Sequence, residues 1–244
     1  MEYRKIAALM GLVLAAATIA SQAQTQILFE TFSYPDGPLV GAPGSPWTTN
    51  SGTAGQQNVI SGQLFLNDNE TEDTVALFST AVTFGSVTAM FDLTMDPADI
   101  VTSAAGDYIT HFVASSNAFI GRVFMLTDPA GTGTTYRIGI STGASTPNAV
   151  FTSVFTVGTT YSLSLTYDLD TDLATLAVAG FGQITSTDVV DNNSINRYGF
   201  RQTTSTGDQF IDNLVVTTIP EPSTYMLLGV GLLFAAQRFR RSRK

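Results

Sequence analysis

In residues 161–167, Tyr-Ser-Leu-Ser-Leu-Thr-Tyr, large Tyr and Leu side chains alternate without a break with the small hydroxyl side chains of Ser and Thr. Successive side chains of an extended chain point to opposite faces, so one face of this segment is apolar and the other is polar. Such a strand fits an antiparallel sheet that packs on a second layer through one face and meets water with the other. Residues 168–172, Asp-Leu-Asp-Thr-Asp, then turn the chain, and residues 173–178 form the returning strand of a hairpin.

Stretches with the same period recur between residues 24 and 218, and none there shows the period of a long amphipathic helix. Clusters of Gly, Asn, Asp and Pro separate them. A short hairpin is predicted at 59–66, with its turn at Ser61 and Gly62. The other predicted strands are 27–32, 74–78, 82–95, 108–114, 119–127, 135–140, 196–203 and 209–216. Residues 40–55, rich in Gly, Pro and Ser, are predicted to form a loop. Ten to thirteen short strands predict an all-β fold, an antiparallel sandwich of two packed sheets.

The charge is distributed unevenly along the chain. The net charge is −9, but the first 23 residues contribute +1 and the last 26 contribute +4, so residues 24–218 carry −14. This middle part contains four arginines and no lysine. Nucleic acid is a poor partner for such a surface, because its binding requires cations that displace counterions from phosphates. An acidic surface rich in Ser and Thr is typical of a soluble extracellular protein.

The chain contains no cysteine. A small secreted domain usually needs disulfides, but the 195 residues between 24 and 218 are enough to bury a core without them. Thiol catalysis and zinc–thiolate sites are therefore excluded. A single domain is the expectation at this length.

The N-terminus has the three regions of a secretory signal peptide. Two basic residues precede an apolar run at 6–20, and small residues follow it up to Ala23. Signal peptidase is predicted to cleave between Ala23 and Gln24, which makes residues 1–23 a signal peptide and implies export by the general secretory route. An uncleaved N-terminal anchor is the alternative.

Residues 219–244 combine three features in a fixed order. Pro220, Glu221 and Pro222 come first, an apolar run at 225–236 follows, and five basic residues end the chain. As a helix, the apolar run spans about 18 Å. A bilayer core is about 30 Å thick, so the run suits a transient span better than a lasting anchor. The basic end favours the cytoplasmic side of a membrane.

This order of Pro-Glu-Pro, short hydrophobic helix and Arg-rich end resembles the PEP-CTERM sorting signal of Gram-negative bacteria. The resemblance implies that exosortase, a membrane transpeptidase-like enzyme, recognises residues 219–244 and cuts near Pro-Glu-Pro. It also implies a transient stay in the inner membrane and delivery to the cell surface or extracellular matrix. An ordinary short C-terminal anchor is the alternative.

Three segments of the middle part share a second resemblance. They are residues 29–37, Phe-Glu-Thr-Phe-Ser-Tyr-Pro-Asp-Gly, the hairpin at 161–178, and residues 210–216, Phe-Ile-Asp-Asn-Leu-Val-Val. Together they look like a concanavalin A-like (laminin-G-like) jelly roll, which implies that the first and last strands are neighbours. Related carbohydrate-binding modules often hold a structural calcium ion between these strands. Glu30 and Asp212 stand at matching places, so the resemblance implies calcium there, with a role in stability.

Glycoside hydrolysis is the first enzymatic hypothesis for a jelly roll. A retaining enzyme needs two carboxyl groups about 5.5 Å apart, one as nucleophile and one as acid. The glutamates between residues 24 and 218 are Glu30, Glu70 and Glu72. The last two fall in an acidic loop at 67–73, for which a solvated turn is the expected structure. A divergent glycan hydrolase or lyase is therefore the less favoured hypothesis.

His111 is the single histidine of the chain. Alternation places it on one strand face with Ile109 and Val113, which indicates a core or half-buried histidine rather than a general base. Without a second histidine or a cysteine, the residues do not indicate a zinc site. Neither a Gly-x-Ser-x-Gly elbow nor a Gly-rich loop followed by lysine is present, so serine-hydrolase and nucleotide-binding hypotheses have no support.

Two further kinds of site have residues to consider. The three aspartates of the 168–172 turn have the alternate spacing of a calcium loop, but the glycine and distal glutamate of an EF-hand are missing, so a polar hairpin turn is the main alternative. Sugars stack on aromatic rings, which Trp47, Tyr108 and Tyr136 offer, although rings in a sandwich are more often part of the core.

The sequence thus predicts a secreted, surface-sorted protein without a catalytic role. The first hypothesis is a matrix protein associated with extracellular polysaccharide, with binding of that polysaccharide as its activity. The second is a purely structural surface protein without a specific ligand.

Overall fold

The computed structural model of the protein describes residues 24–219, apart from Thr132 and Asn193. The regular structure of this part consists of β-strands. The described residues include no helix long and apolar enough to cross a membrane. The predicted signal peptide and the predicted sorting segment, with the helices expected in them, lie outside the described residues.

The strands are short and separated by turns. In chain order they are β1 (Thr25–Glu30), β2 (Gly37–Pro38), β3 (Trp47–Ser51), β4 (Asn58–Ile60), β5 (Gln63–Leu66), β6 (Asp73–Val82), β7 (Ser86–Met95), β8 (Asp107–Ala114), β9 (Phe119–Thr127), β10 (Thr135–Ser141), β11 (Ala149–Val150), β12 (Phe155–Thr156), β13 (Thr160–Asp168), β14 (Leu173–Val178), β15 (Gly182–Thr185), β16 (Ile195–Arg201) and β17 (Gln209–Ile219).

The strands form two sheets. Sheet A has the order β15-β14-β13-β7-β17-β5-β4-β2, with β1 also paired to β17. Sheet B has the order β11-β10-β9-β8-β16-β6-β3, with β12 also paired to β10. The pairings are antiparallel, for example β13 with β7 and β8 with β16. The predicted all-β antiparallel sandwich of two sheets is therefore confirmed.

The first and last strands of the sandwich are neighbours, as the jelly-roll resemblance implied. Phe29 of β1 stands opposite Val215 of β17, and Glu30 stands opposite Leu214. This pairing brings the two ends of the described chain to adjacent positions in sheet A.

Alternation along β13 matches the sequence pattern that predicted it. Leu163, Leu165 and Tyr167 are buried, while the hydroxyl residues between them are partly or fully exposed. The buried side chains join a core that both sheets line. The hairpin of β4 and β5 also has the predicted turn, where Ser61 and Gly62 have φ of 53° and 80°. A turn with two successive positive φ angles follows the twist of the flanking strands.

Strand β3 corrects the prediction of a loop at 40–55. Trp47 is 2% exposed and its ring centroid lies 5.2 Å from that of Phe200 and 6.1 Å from that of Phe32. Because the indole is fixed in the core, the threonines that follow it are placed beside β6 and pair with it. The strand forms because of this burial, not because of a local period.

Candidate functional site

One face of sheet B points away from the sandwich core and has its own small cluster of apolar side chains. Tyr108 of β8 packs there with Phe124 and Leu126 of β9. Their neighbours along β9, Val123 and Met125, belong to the main core instead. Alternation along the strand therefore defines an outer face of sheet B.

All four arginines of residues 24–218 lie on this outer face. In β16, Tyr198 and Phe200 are core residues, so Arg197 and Arg201 point the other way. The same alternation turns Arg122 of β9 outward, away from the core face of Val123 and Met125, and Arg137 of β10 away from Tyr136 and Ile138, which are core residues. Since the same range contains no lysine, its cationic side chains are concentrated on one face of one sheet.

Two of the guanidinium groups lie against one aromatic ring. The Cζ atom of Arg201 is 4.3 Å from the centroid of the Tyr108 ring, and that of Arg122 is 4.9 Å from it. Contacts of this kind are cation–π interactions. Arg122 is also held by two carbonyl oxygens, because its Nε donates to Phe119 and its Nη1 donates to Ala144, each at 3.2 Å. We call Arg122, Arg197, Arg201 and Tyr108 the arginine cluster.

Carboxylates neutralise little of this charge. Among the described residues, the one ion pair within 4 Å joins Arg201 Nε to Asp73 Oδ1, at 3.8 Å. Arg197 donates to the side-chain oxygen of Asn117, a neutral acceptor. The Nε of Arg137 is buried without a hydrogen-bond partner. Burial lowers the pKa of the Arg122 guanidinium and the charge of Arg201 lowers it further, while Tyr108 and the charge of Asp188 oppose the change in part.

The loop after β10 is fixed beside the cluster by a single carboxylate. Asp188 accepts hydrogen bonds from the backbone N–H groups of Thr142, Gly143 and Ala144, and from the side-chain amide of Asn148. Burial alone raises the pKa of Asp188, but these donors outweigh it and hold the pKa below its usual range. The loop therefore keeps the carbonyl of Ala144 in place on Arg122.

His111 lies beneath the cluster and is fully buried. Its ring centroid is 4.3 Å from that of Phe119 and 5.5 Å from that of Tyr108. Neither ring nitrogen has a hydrogen-bond partner. Burial lowers the pKa of His111 to about 3, and the charges of Arg122, Arg201 and Arg197 add to the effect. The imidazole is neutral at ordinary pH.

The predicted burial of His111 is confirmed, but the prediction that it shares a strand face with Ile109 was wrong. Ile109 belongs to the main core, whereas His111 contacts the outer-face residues Tyr108 and Phe119. The register between β8 and β9 shifts on both sides of Thr110, so the two residues do not keep the spacing of a regular strand. Opposite His111, Gly199 leaves room for the ring, because a Cβ there would lie 3.0 Å from Nε2.

The predicted calcium residues lie on the paired strands β1 and β17, but their carboxylates have different surroundings. Glu30 is 5% exposed and accepts three hydrogen bonds, from the backbone N–H of Phe32 and the Tyr34 hydroxyl, both at 2.7 Å, and from Trp47 Nε1 at 3.0 Å. Asp212 accepts a bond from the N–H of Asn213. These contacts give Glu30 a structural role without an ion, and calcium at Glu30 and Asp212 stays a prediction.

The acidic loop before β6 is not a solvated turn throughout. Glu72 is fully buried and accepts hydrogen bonds from Thr49 Oγ1 at 2.6 Å and from the backbone N–H groups of Gln56 and Gln57 at 2.8 Å. Glu70 accepts one from Gln202. The expectation of a solvated turn was wrong for Glu72, whose carboxylate joins this loop to the segment that follows β3.

The aspartates of the turn between β13 and β14 bond within the protein. Asp168 Oδ1 accepts from the backbone N–H groups of Asp170 and Thr171, as in an Asx turn. Asp172 accepts from the Tyr167 hydroxyl and from the N–H of Asn192. These bonds are those of a polar hairpin turn.

A different acidic group forms at one end of the sandwich. Carboxylate oxygens of Asp68, Asp99 and Asp208 lie within 4.8 Å of one another. Asp208 also accepts the backbone N–H of Asp68 at 2.9 Å. Burial raises the pKa of Asp99, and the hydrogen bond and charge of Asp68 raise it further. Burial and the charges of Asp99 and Asp96 raise the pKa of Asp208.

Replacing Asp99 with asparagine is expected to stabilise the fold at pH 7, by up to about 1 kcal/mol because solvent screens these charges. A carboxyl group with a raised folded-state pKa destabilises the fold when ionised, so the wild type gains stability as pH falls from 7 and the variant gains less. Thermal unfolding at pH 7 and pH 5 measures both effects, with Asp92→Asn as the control. A variant less stable than the wild type in chelator would contradict the repulsion.

The three aromatic rings considered for sugar stacking differ in position. Trp47 and Tyr136 are core residues, 2% and 1% exposed. Tyr108 is on the outer face of sheet B, but only 6% of it is exposed. The cluster therefore presents its half-buried guanidinium groups to solvent more than its ring.

On sheet A, the polar atoms of a groove of about 480 Å³ bond to one another, since Asp92 accepts from Ser162 and Asn213.

Comparison with protein families identifies the C-terminal segment. Residues 218–241 match the family model described as the PEP-CTERM protein-sorting motif. The match confirms the resemblance of this segment, and the motif implies processing by exosortase, with export and surface sorting in Gram-negative bacteria. No curated protein sequence matches the chain significantly.

Comparison with solved structures identifies the shape of the sandwich as legume-lectin-like. Peanut lectin, solved with a nine-residue peptide, aligns at a TM-score of 0.50 and 15% identity over 80% of this chain and 98% of the lectin. The acidic lectin of winged bean, solved with methyl-α-D-galactose, aligns at 0.50 and 13% over 82% and 100%. The chain also aligns, at 0.49 and 14%, over 78% of its length with only 19% of a chain described as a sialidase. The concanavalin A-like fold is thereby confirmed.

Proposed function

We propose that this chain, which carries a PEP-CTERM sorting motif after a lectin-like β-sandwich, is a surface-sorted protein that binds extracellular polysaccharide without catalysis. Signal peptidase releases residues 1–23 and exosortase removes the C-terminal segment. The sandwich of residues 24–218 then remains at the cell surface or in the matrix around it.

The arginine cluster is the observation that carries this proposal. It places polar groups of fixed orientation around a ring, on the solvent-facing side of a sheet. Ligand-binding sites in general combine an apolar lining with a few positioned polar groups. The winged bean lectin solved with methyl-α-D-galactose has a similar fold. That likeness supports a sugar ligand by analogy of fold, while the cluster offers the site.

Binding of the purified, exported protein to the exopolysaccharide of its host and to a glycan panel tests the activity. We expect saturable binding to at least one polysaccharide, unchanged when calcium is replaced by chelator, because the cluster would hold its ligand through guanidinium N–H groups. Binding lost in chelator would instead direct attention to Glu30 and Asp212. No binding in either condition, with the fold intact, would refute the proposed activity and favour a purely structural surface protein.

Processing makes a separate prediction about mass. Protein recovered from its native host is expected to begin at Gln24 and to end near Pro220, Glu221 and Pro222. Intact-mass measurement of the surface fraction decides this. A chain that retains the basic residues after position 237 would contradict exosortase processing, and one that retains residues before Ala23 would contradict cleavage of the signal peptide.

A further inference from the structure

We propose that the arginine cluster binds carboxylate groups of an acidic polysaccharide, one whose sugars carry uronic acids. This inference rests on the proposed function and names the ligand class for the same face. It follows from the charge left unpaired on that face, from the way its arginines are held, and from their spacing.

Unpaired charge is the first argument. Residues 24–218 contain 18 Asp and Glu but only four Arg. With so many carboxylates available, an arginine that served only stability would be expected to have one beside it. Among the described residues only Arg201 has one within 4 Å, and its 3.8 Å separation is long for a hydrogen bond. Arg122 and Arg201 also lie against the same ring, where their like charges repel. An anion between them relieves that repulsion.

The buried histidine lies within the field of the same three guanidinium groups. After burial, the causes that lower its pKa are three arginines, Arg122, Arg201 and Arg197. The positive potential of the cluster thus extends into the sheet. Because the imidazole is neutral, it adds no charge to the face, and anion binding depends on the guanidinium groups alone.

The arginines are oriented before any ligand arrives. Two N–H groups of Arg122 are fixed on backbone carbonyls, and the loop that supplies the carbonyl of Ala144 is held by Asp188. Arg197 is fixed by Asn117. Each guanidinium has five N–H donors, so several remain for a ligand. Guanidinium forks match planar carboxylates in two parallel hydrogen bonds, and preorganised groups lose little entropy when they bind.

Spacing favours a polymer over a single acid. Arg197 and Arg201 are four residues apart on β16, which is about 13 Å along a strand. One carboxylate cannot reach both, whereas a chain with an acid on successive sugars can. Nucleic acid carries about one charge per 1.7 Å, a density that three guanidinium groups match poorly. The negative charges on the rest of the surface are screened beyond about 10 Å in 0.1 M salt, so they repel an approaching polyanion only weakly. A thin, less densely charged polymer can therefore reach the cluster.

The test compares two polymers with the same sugar backbone, one carrying carboxylates and the other uncharged methyl esters. Polygalacturonate and its fully methyl-esterified form are titrated into the purified, exported protein in 0.1 M salt and chelator, with neutral dextran as a further ligand. We expect polygalacturonate to bind at least tenfold more tightly than the ester. Arg122→Gln is expected to weaken polygalacturonate binding by about tenfold or more, the usual effect of losing a hydrogen bond between charged groups.

Two further variants separate binding from folding. Arg201→Gln combined with Asp73→Asn removes the cation without leaving a buried carboxylate unpaired, and it is expected to weaken binding as Arg122→Gln does. Arg137→Gln removes a positive charge from the same face outside the cluster, and its affinity is expected to stay within about twofold of the wild type. Unfolding midpoints confirm that each variant is folded.

Each other outcome overturns a stated part of the account. Equal binding of acid and ester would refute the ligand class and leave the proposed function standing. Equal losses of polygalacturonate affinity in Arg137→Gln and Arg122→Gln would mean that the face attracts the polymer by its overall charge and has no specific site. Undiminished binding in the Arg122 and Arg201 variants would place the ligand elsewhere. Failure of the wild type to bind any glycan, here and on the panel, would refute both proposals.

Discussion

Replacing Glu30 with alanine is expected to lower the free energy of unfolding by about 3 to 5 kcal/mol. The carboxylate is 5% exposed and accepts hydrogen bonds from the N–H of Phe32, the hydroxyl of Tyr34 and the indole N–H of Trp47. Alanine would leave these three donors without their acceptor, in a place that water reaches poorly. A buried donor without a partner costs about 1 to 3 kcal/mol.

The carboxylate also fixes the backbone where the chain leaves β1. Phe32 has φ of 49°, a left-handed conformation that costs free energy for a residue other than glycine. The bond from its N–H to Glu30 holds that conformation, and the Phe32 ring then packs between Trp47 and Phe200. Loss of Glu30 therefore loosens the aromatic core as well as the turn.

Urea unfolding followed by tryptophan fluorescence measures this effect at the site itself, since Trp47 is the single tryptophan. Asp212→Ala is the matched control, and we expect it to cost less than about 0.5 kcal/mol. Both variants are compared in calcium and in chelator. A cost of less than 1 kcal/mol for Glu30→Ala would refute the hydrogen-bond account, and a cost for Asp212→Ala seen only in calcium would establish the predicted ion.

The sequence predicted the strands whose alternation and turn residues lie close together in the chain. The β13–β14 hairpin could be recognised because its period and its Asp-rich turn are contiguous, and the β4–β5 hairpin because Ser61 and Gly62 suit their turn. Strand β3 could not be recognised, because its threonines have no apolar alternation and extend only through pairing with β6. The burial of Glu72 was hidden for a similar reason, since its donors at Gln56 and Gln57 are about 15 residues away.

The arginine cluster could be predicted only in part. Four arginines without a lysine were visible in the composition, and Arg197 and Arg201 have the even spacing of one strand face. Which face of sheet B points away from the core depends on how sheet B packs on sheet A. The residue pattern of a single strand does not reveal this packing. Simple alternation does not hold at His111, because the register shifts around Thr110. Ile109 and His111 therefore lie on different faces of the sheet although they are two residues apart.

Replacing His111 with leucine is expected to raise the free energy of unfolding by about 1 to 3 kcal/mol at pH 7. Both imidazole nitrogens are buried without a hydrogen-bond partner, so the wild type bears their desolvation cost without compensation. Leucine has a similar volume and no polar atom to desolvate. It also faces the aromatic rings of Phe119 and Tyr108, which are suitable apolar neighbours.

The advantage of the leucine variant is expected to grow as pH falls. The pKa of His111 is about 3 in the folded protein, below the ordinary value of 6.5 that the unfolded chain keeps. Below pH 6.5 the histidine is protonated in the unfolded state but not in the folded state. The wild type therefore loses stability as pH falls from 6.5 towards 3. Between pH 6.5 and 4.5 this loss is about 2 to 3 kcal/mol. The leucine variant is free of it.

Denaturant unfolding of both proteins at pH 7.0, 5.5 and 4.5 measures the difference. Carboxyl groups with raised pKa values, such as Asp73, Asp99 and Asp208, titrate in both proteins and cancel when one curve is subtracted from the other. His111→Gln separates the two effects, because it removes the titration but keeps a buried polar group. We expect it to lose the extra pH dependence without the gain at pH 7. Parallel curves for the wild type and the leucine variant would mean that the histidine becomes protonated inside the fold, next to three arginines. That result would require more counter-charge in the arginine cluster than the single ion pair of Arg201 with Asp73 provides.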